Sequence, residues 1–149
     1  AAAGMELEEF MEHRVFEPIG LHGYSWDRFG PHTISLAGMR TNARDLARFG
    51  YLHLAGGERA GRRLVPRSWV ESATRSSQSL NPGYGLTWWV NTDGTTWPSL
   101  PRDAFAAMGY LGCKCWVVPS LDLVVVRIAD GPWPWDDAPF LSAIVASLA

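Results

Sequence analysis

Two short runs rich in β-branched and aromatic residues constrain the fold of this chain most. They cover residues 113–118 and 121–128, and the dipeptide Pro119-Ser120 separates them. This pattern is typical of two antiparallel strands joined by a tight turn. The segment from Leu123 to Val126 is apolar without alternation, which predicts that both faces of the second strand are covered.

Two glycines, Gly109 and Gly112, precede the hairpin at the point where a third strand would pass into it. Glycine at such a place allows another group, for example a ligand, to approach the backbone closely. The glycine corner can therefore be a plain structural feature or one wall of an active site. The residues by themselves leave both interpretations open.

Length and composition indicate a folded domain. The 149 residues suffice for one hydrophobic core, and 47% of them are hydrophobic while 19% are charged. The net charge of −2 disfavours a nucleic acid or a membrane surface as a general partner. No apolar run reaches the length of about eighteen residues that indicates a membrane-spanning helix. The first residue is Ala rather than Met and no signal-peptide pattern follows, so we expect a fragment of a longer chain.

The common metal and cofactor motifs do not occur in the sequence. It has no phosphate-binding glycine loop, no His-Glu-x-x-His helix and no Gly-x-Ser-x-Gly elbow. Cys113 and Cys115 lie two residues apart, on the same face of a strand, where a disulfide does not form easily. We expect both to act as small buried side chains. The sequence therefore predicts no metal and no cofactor.

The first half of the chain carries helical patterns. Apolar residues at helical spacing predict a helix over residues 5–15, and the weakly patterned residues 23–35 are predicted as a loop. Thr41 is expected to cap a second helix, whose apolar stripe covers residues 43–54. Pro66 suits the first turn of a third, shorter helix.

The second half carries strand signals and one more helix. Residues 84–91 are predicted as a strand, and Asp137 is expected to cap a last helix with Pro139 in its first turn. The apolar residues of that helix are expected to face the sheet: Phe140, Leu141, Ile144, Val145 and Leu148.

These patterns predict the α+β class. We expect a single partial domain over residues 1–149, with a helical segment at about 1–78 and a sheet with the terminal helix at about 83–149. The sheet is predicted to be antiparallel, with three to four strands, preceded by helices and packed against the C-terminal helix.

Several segments resemble, in order, those of the serine β-lactamase and penicillin-binding-protein superfamily, in its class C-like and esterase branch. The most specific is A-G-M-R-T-N-A-R-D-L-A-R-F at residues 37–49, which is similar to the family's G-G-x-x-S-T-x-x-D-L-A-R-F. Residues 16–22 resemble an F-x-P-L-G-M segment, 64–70 resemble L-V-P-x-x-W-V, and 84–89 resemble Y-G-x-G-W-W. The hairpin is similar to the family's V-x-P-x-x-x-L-V-V-V.

The resemblance implies the C-terminal portion of the β-lactamase/transpeptidase-like fold. It also implies a serine hydrolase that acts on ester, amide or β-lactam-like substrates through an acyl-enzyme. The family's Lys-Thr-Gly or His-x-Gly triplet falls on Ala107-Met108-Gly109, where neither Ala107 nor Met108 supplies a charge or a hydroxyl. The backbone of Gly109 and Tyr110 would lie on the oxyanion side of the site. The residues expected to border the substrate are Met108, Tyr24, Trp26 and Trp88.

The family's nucleophile is not found in these 149 residues. Ser-x-x-Lys does not occur, because the one lysine, Lys114, has Leu111 three positions before it. The family's Tyr-x-Asn or Ser-x-Asn motif should precede residue 16, whereas Ser79-Leu80-Asn81 lies in a predicted loop far beyond it. We therefore expect both motifs on polypeptide outside this sequence and no activity from this chain alone. The alternative is a non-catalytic relative that binds a ligand or a partner.

The last predicted strand also suggests an interaction. In the family it pairs with strands from the N-terminal part of the domain. Without them, the edge at Val124 to Val126 would be unpaired, and exposed apolar edges recruit other strands. The sequence thus predicts dimerisation or aggregation of this chain.

Overall fold

A four-stranded antiparallel sheet organises the fold. The computed structural model describes residues 3–131 and 135–148. The sheet strands are β7 (Trp89–Val90), β8 (Phe105–Met108), β9 (Lys114–Val118) and β10 (Leu123–Arg127). They lie in the order β10-β9-β8-β7. This arrangement confirms the predicted α+β class, the hairpin and the third strand before it.

The hairpin register places the apolar runs opposite each other. Val125 pairs with Trp116 and Val126 pairs with Cys115. A single 3₁₀ turn, Pro119–Leu121, joins the strands, and Asp122 completes it in the left-handed conformation with φ of 48°. Proline fixes the φ that the start of such a turn needs, so the Pro119-Ser120 break is where the chain reverses.

Both faces of the sheet are packed, as the apolar run at residues 123–126 predicts. On one face Trp116 and Val125 belong to a buried cluster with the C-terminal helix. On the other face Cys115 and Val117 are fully buried against partly buried side chains that include Leu46. Because side chains alternate along a strand, neighbouring residues of β9 contact helices on opposite faces of the sheet.

Five α-helices accompany the sheets in the described ranges. The first two, α1 (Leu7–Met11) and α2 (Glu17–Ile19), are joined by a π-helical segment, Glu12–Phe16, and left-handed Gly20 ends the run. The others are α3 (Ala43–Leu54), α4 (Arg67–Ala73) and α5 (Asp137–Ala146).

Two predicted helix caps are displaced by one residue. Asn42, not Thr41, caps α3, because its side-chain oxygen accepts the Asp45 amide at 2.9 Å. Asp136, not Asp137, caps α5, because its carboxylate accepts the Ala138 amide at 3.0 Å. The helix α5 ends at Ala146, so Leu148 is exposed and does not face the sheet as predicted.

Short hairpins replace part of the predicted loop. The region holds β1 (Tyr24–Trp26), β2 (Arg28–Phe29) and β3 (His32–Thr33), and β1 pairs with β4 (Met39–Thr41). A further hairpin joins β5 (Glu58–Arg59) and β6 (Arg62–Arg63). The prediction of a loop was wrong here because β1 is stabilised by pairing with a distant segment rather than by its own pattern.

The strand predicted over residues 84–91 is shorter than expected. Of residues 84–91, only β7 belongs to the four-stranded sheet, and Tyr84 pairs with Trp89 through an isolated bridge. The Gly85 amide donates to the Trp88 carbonyl at 2.8 Å, and Thr87 between them has φ of 67°. A tight turn therefore interrupts the strand. Within the described ranges, none of the helices has the length and apolar character needed to cross a bilayer.

Candidate active-site wall

An open cavity of about 470 Å³ lies where β8 leaves the sheet, and it faces the segment between β3 and β4. Three parts of the chain line it: Trp26 at the end of β1, residues 35–39 before and at the start of β4, and residues 108–110 at the end of β8. The lining residues are Trp26, Ser35, Leu36, Ala37, Gly38, Met39, Met108, Gly109 and Tyr110. The glycine corner that the sequence marks thus borders a space large enough for part of a small molecule.

The backbone at the end of β8 turns away from its neighbour strand. Gly109 is still extended, and its amide donates to the Cys113 carbonyl at 2.7 Å. The chain then makes a 3₁₀ turn, Tyr110–Gly112, in which Leu111 and Gly112 have left-handed φ values of 56° and 82°. This turn leaves Tyr110 86% exposed at the cavity. In the described part of the chain we find no acceptor for the Tyr110 amide.

Trp26 fixes the opposite wall. Its indole Nε1 donates to the Ile34 carbonyl at 2.9 Å and to the Ala37 carbonyl at 3.2 Å. Gly38 then follows with φ of 85°, and a Cβ there would lie only 2.7 Å from the Asp27 Cβ. Only glycine fits both the left-handed backbone and this close approach. The wall therefore depends on Trp26 and Gly38 rather than on regular structure.

A buried carboxylate supports the strand that carries Trp26. Asp45 is 4% exposed and accepts hydrogen bonds from the Gly23 amide at 2.7 Å and the His22 amide at 3.3 Å. The Asn42 side chain donates to it at 3.0 Å, and Arg48 forms an ion pair with it. Burial alone would raise the pKa of Asp45, but these hydrogen bonds outweigh burial and hold the pKa below its ordinary value. An ionised Asp45 thus anchors the entry to β1.

The structure brings together four of the six residues predicted for the site. Met108 and Trp26 line the cavity with Gly109 and Tyr110.

The other two, Tyr24 and Trp88, do not line it. Tyr24 packs edge-on against Phe16 at 4.9 Å. Trp88 is 5% exposed and contacts Phe105 edge-on at 5.1 Å in the core. The tight turn before Trp88 explains its position, because it directs the indole to the face of the sheet that α3 covers.

Sequence reasoning missed the cavity residues between Ser35 and Met39. Residues 37–39 open the family-like segment, but that segment predicts the start of α3 rather than part of a site. They reach the cavity through the pairing of β1 with β4 and the hydrogen bonds of Trp26. The signal in the sequence was the glycine at position 38. The structure gives its reason, since Gly38 has a left-handed φ and lies close to Asp27.

A second cavity, of about 350 Å³, lies on the other side of Met108. Met108 lines both cavities, and the second one holds Lys114, whose ammonium contacts the Asp137 carboxylate. Lys114 is buried, so its charge is balanced within the protein rather than by solvent.

The cysteines are free thiols. Burial raises the pKa of Cys115 to about 12, whereas Cys113 is half-buried beside the Ala129 carbonyl. Across residues 3–131 and 135–148 no cluster of His, Cys, Asp or Glu could hold a metal ion.

Comparison with known proteins identifies the family. The family model described as Beta-lactamase matches residues 1–147. The chain belongs to the Beta-lactamase family. This confirms the resemblance carried by the motifs at residues 37–49 and in the hairpin.

Two curated relatives match part of the sequence. The 6-aminohexanoate-dimer hydrolase of Paenarthrobacter ureafaciens is 30% identical over 109 residues, which are 65% of this chain and 26% of that protein. An uncharacterized protein of Alkalihalophilus pseudofirmus is 33% identical over 98 residues, which are 60% of this chain and 29% of that protein. The matched segments thus span between a quarter and a third of these relatives.

Solved structures share the fold. A Bacillus anthracis protein provisionally assigned as a 6-aminohexanoate-dimer hydrolase superposes with a TM-score of 0.73 at 24% identity, over 97% of this chain and 37% of that one. A β-lactamase from Mycobacterium bovis superposes with a TM-score of 0.71 at 21% identity, over 98% of this chain and 58% of that one. Both superpositions place this chain in the β-lactamase/transpeptidase-like fold.

Proposed function

We propose that this chain forms one wall of the active site of a serine hydrolase, which cleaves esters, amides or β-lactam-like rings through an acyl-enzyme. The observation that carries the proposal is that Gly109 and Tyr110, both exposed residues, border an open cavity at the end of β8. Membership of the Beta-lactamase family and the similarity to a 6-aminohexanoate-dimer hydrolase support it.

In this proposal the Tyr110 amide donates a hydrogen bond to the oxyanion that forms when the substrate carbonyl is attacked. The Gly109 amide is engaged by the Cys113 carbonyl at 2.7 Å, so Tyr110 is the donor that this chain offers. A backbone donor that is already positioned stabilises developing charge without reorganisation. A second donor would come from the nucleophilic serine itself.

The serine and its activating base are proposed to lie on polypeptide outside these 149 residues, because Ser-x-x-Lys does not occur in them. That polypeptide would close the cavity on its remaining side. The chain by itself is then expected to hydrolyse nothing, since an oxyanion donor without a nucleophile leaves no group to acylate.

A second candidate function is binding without catalysis. Ala107 and Met108 occupy the positions where the resembled family carries a cation or a hydroxyl, and neither side chain supplies one. A relative that retains the cavity but has lost its chemistry would bind small molecules and turn none of them over.

Two substitutions of Tyr110 distinguish the two candidate functions in the full-length protein. The variant Tyr110→Pro removes the amide hydrogen, while Gly109 before it is already extended, as a residue preceding proline requires. We expect kcat for phenyl esters and nitrocefin to fall about 10²- to 10³-fold, the usual effect of losing one oxyanion donor. The matched control Tyr110→Ala keeps the amide and is expected to change kcat far less.

The outcomes are distinct. Equal kcat for Tyr110→Pro and Tyr110→Ala would refute the role of the amide. Wild-type full-length protein that binds phenyl amides but cleaves neither esters nor nitrocefin would establish the binding function instead.

A further inference from the structure

The wall that this chain contributes is uncharged. None of the described residues that line the cavity beside Tyr110 carries a charge, and its large apolar side chains are Trp26, Leu36, Met39 and Met108. Its polar side-chain groups are the hydroxyls of Ser35 and Tyr110 and the indole N–H of Trp26, which already donates to two carbonyls.

Charged groups next to this wall have partners of their own. The Arg127 guanidinium does not line the cavity and donates to the Gly112 carbonyl, in the turn after Tyr110, at 2.7 Å. Next to Gly38, Asp27 accepts two hydrogen bonds from Arg40, at 2.6 and 3.0 Å. Behind Met108, the Lys114 ammonium contacts Asp137. An anion that enters the cavity therefore loses hydration and meets a wall without a cation to replace it.

We propose that this wall selects substrates whose bound portion is neutral and apolar, and discriminates against a carboxylate placed in it. The inference rests on the proposed function for its reaction. The preference itself comes from apolar side chains such as Leu36 and Met108, so binding of neutral and anionic ligands can measure it without turnover. The substrate class is a carboxylic ester or amide with an uncharged group against β8.

Three esters test this in the full-length protein. They are phenyl butyrate, its analogue with a carboxylate on the acyl chain (monophenyl succinate), and its analogue with a carboxylate on the leaving group (4-butyryloxybenzoate). Each kcat/KM is divided by the rate of alkaline hydrolysis of the same ester, which removes intrinsic reactivity. We expect phenyl butyrate to be the best substrate and at least one carboxylate ester to be at least about tenfold worse, the effect of leaving one buried polar group unpaired.

A cation added to the wall should reverse this preference. Leu36 is 90% exposed, so Leu36→Lys places an ammonium at the cavity without disturbing the core. It is expected to restore at least about half of the lost kcat/KM for the disfavoured ester, on a logarithmic scale and relative to phenyl butyrate measured with the same variant. The variant Leu80→Lys adds the same charge on an exposed residue that lines neither of the two cavities and is expected to restore nothing.

Calorimetric binding of the three corresponding amides gives a readout without turnover. The ligands are N-phenylbutyramide, N-phenylsuccinamic acid and 4-butyramidobenzoate. The inference is supported if the neutral amide binds more tightly and Leu36→Lys restores the affinity for one of the two carboxylate amides. This holds even if no ester is cleaved, because a lack of cleavage would refute only the proposed hydrolase. Turnover or binding in which neither carboxylate is disfavoured, or no binding of any amide at millimolar concentration, would overturn the inference.

Discussion

Replacing Asp45 should loosen the wall that carries Trp26, because Asp45 holds the entry to β1. In Asp45→Ala the Gly23 amide loses its acceptor at 2.7 Å and the His22 amide loses a longer bond of 3.3 Å. Hydrogen bonds to a charged group each contribute about 1.5–3 kcal/mol, and the longer bond lies at or below the lower end of that range. We expect the free energy of unfolding to fall by about 3 kcal/mol.

The partner side chains of Asp45 supply a matched control. Arg48 is partly exposed and can turn to solvent when its partner is removed. The variant Arg48→Ala, which breaks only the ion pair, is therefore expected to reduce the free energy of unfolding by less than about 1 kcal/mol. Urea unfolding of the full-length protein, followed by tryptophan fluorescence, measures both variants. A reduction below about 1 kcal/mol for Asp45→Ala would refute the assigned role of the carboxylate.

The same carboxylate makes a signed pH prediction. The pKa of Asp45 in the folded protein lies below its ordinary value, because its hydrogen bonds outweigh the opposing effect of burial. Its contribution to stability is therefore complete above the unfolded pKa of about 3.9 and is lost as the pH falls through the lower folded pKa. Between about pH 5 and pH 2 the wild type should lose more free energy of unfolding than Asp45→Asn. Parallel pH profiles of the two proteins would contradict this.

Three further predictions concern the sheet. In Gly50→Ala the new Cβ would lie 2.6 Å from the Cys115 Sγ and 2.8 Å from the Val124 Cγ1. Chemical denaturation should therefore show that the free energy of unfolding falls by about 1–3 kcal/mol, and the second substitution Cys115→Ala should restore part of it. Burial raises the pKa of Cys115 to about 12, so mass spectrometry after maleimide treatment of the native protein at pH 8 should find Cys115 unmodified. In the described ranges β10 pairs only with β9, so the isolated 149-residue chain should dimerise through that edge, and a monodisperse monomer at high concentration by light scattering would argue against it.

The sheet and the family could be predicted from the sequence because their signals are local. The valine-rich run of β10 and the Pro119-Ser120 turn specify a hairpin without reference to the rest of the chain. The stripe of α3 likewise repeats at helical spacing over residues 43–54. The displaced cap shows the limit of such patterns, since Thr41 and Asn42 both suit a cap. Only the structure shows that the Asn42 side chain reaches the Asp45 amide while the Thr41 hydroxyl donates to the Gly23 carbonyl.

The two walls of the cavity also differ in how much of each could be predicted from local sequence signals. Gly109 and Gly112 mark the wall at β8 in the sequence. Of the two, Gly112 has the left-handed backbone that favours glycine, in the turn by which the chain leaves the sheet. The opposite wall has no such local requirement except at Gly38. It is assembled when β1 pairs with β4 and the Trp26 indole binds two carbonyls across the intervening loop.

This difference explains why Trp26 could be predicted at the cavity while Trp88 could not be excluded from it. Both are tryptophans near family-like segments, and composition gives them equal weight. The Trp26 indole donates to carbonyls of the loop before β4 and so lies at the cavity, whereas the backbone turn from Gly85 to Trp88 places Trp88 beside Phe105. The position of this wall therefore depends on how the loop before β4 is held, and Asp45, outside the cavity, supports it through the start of β1.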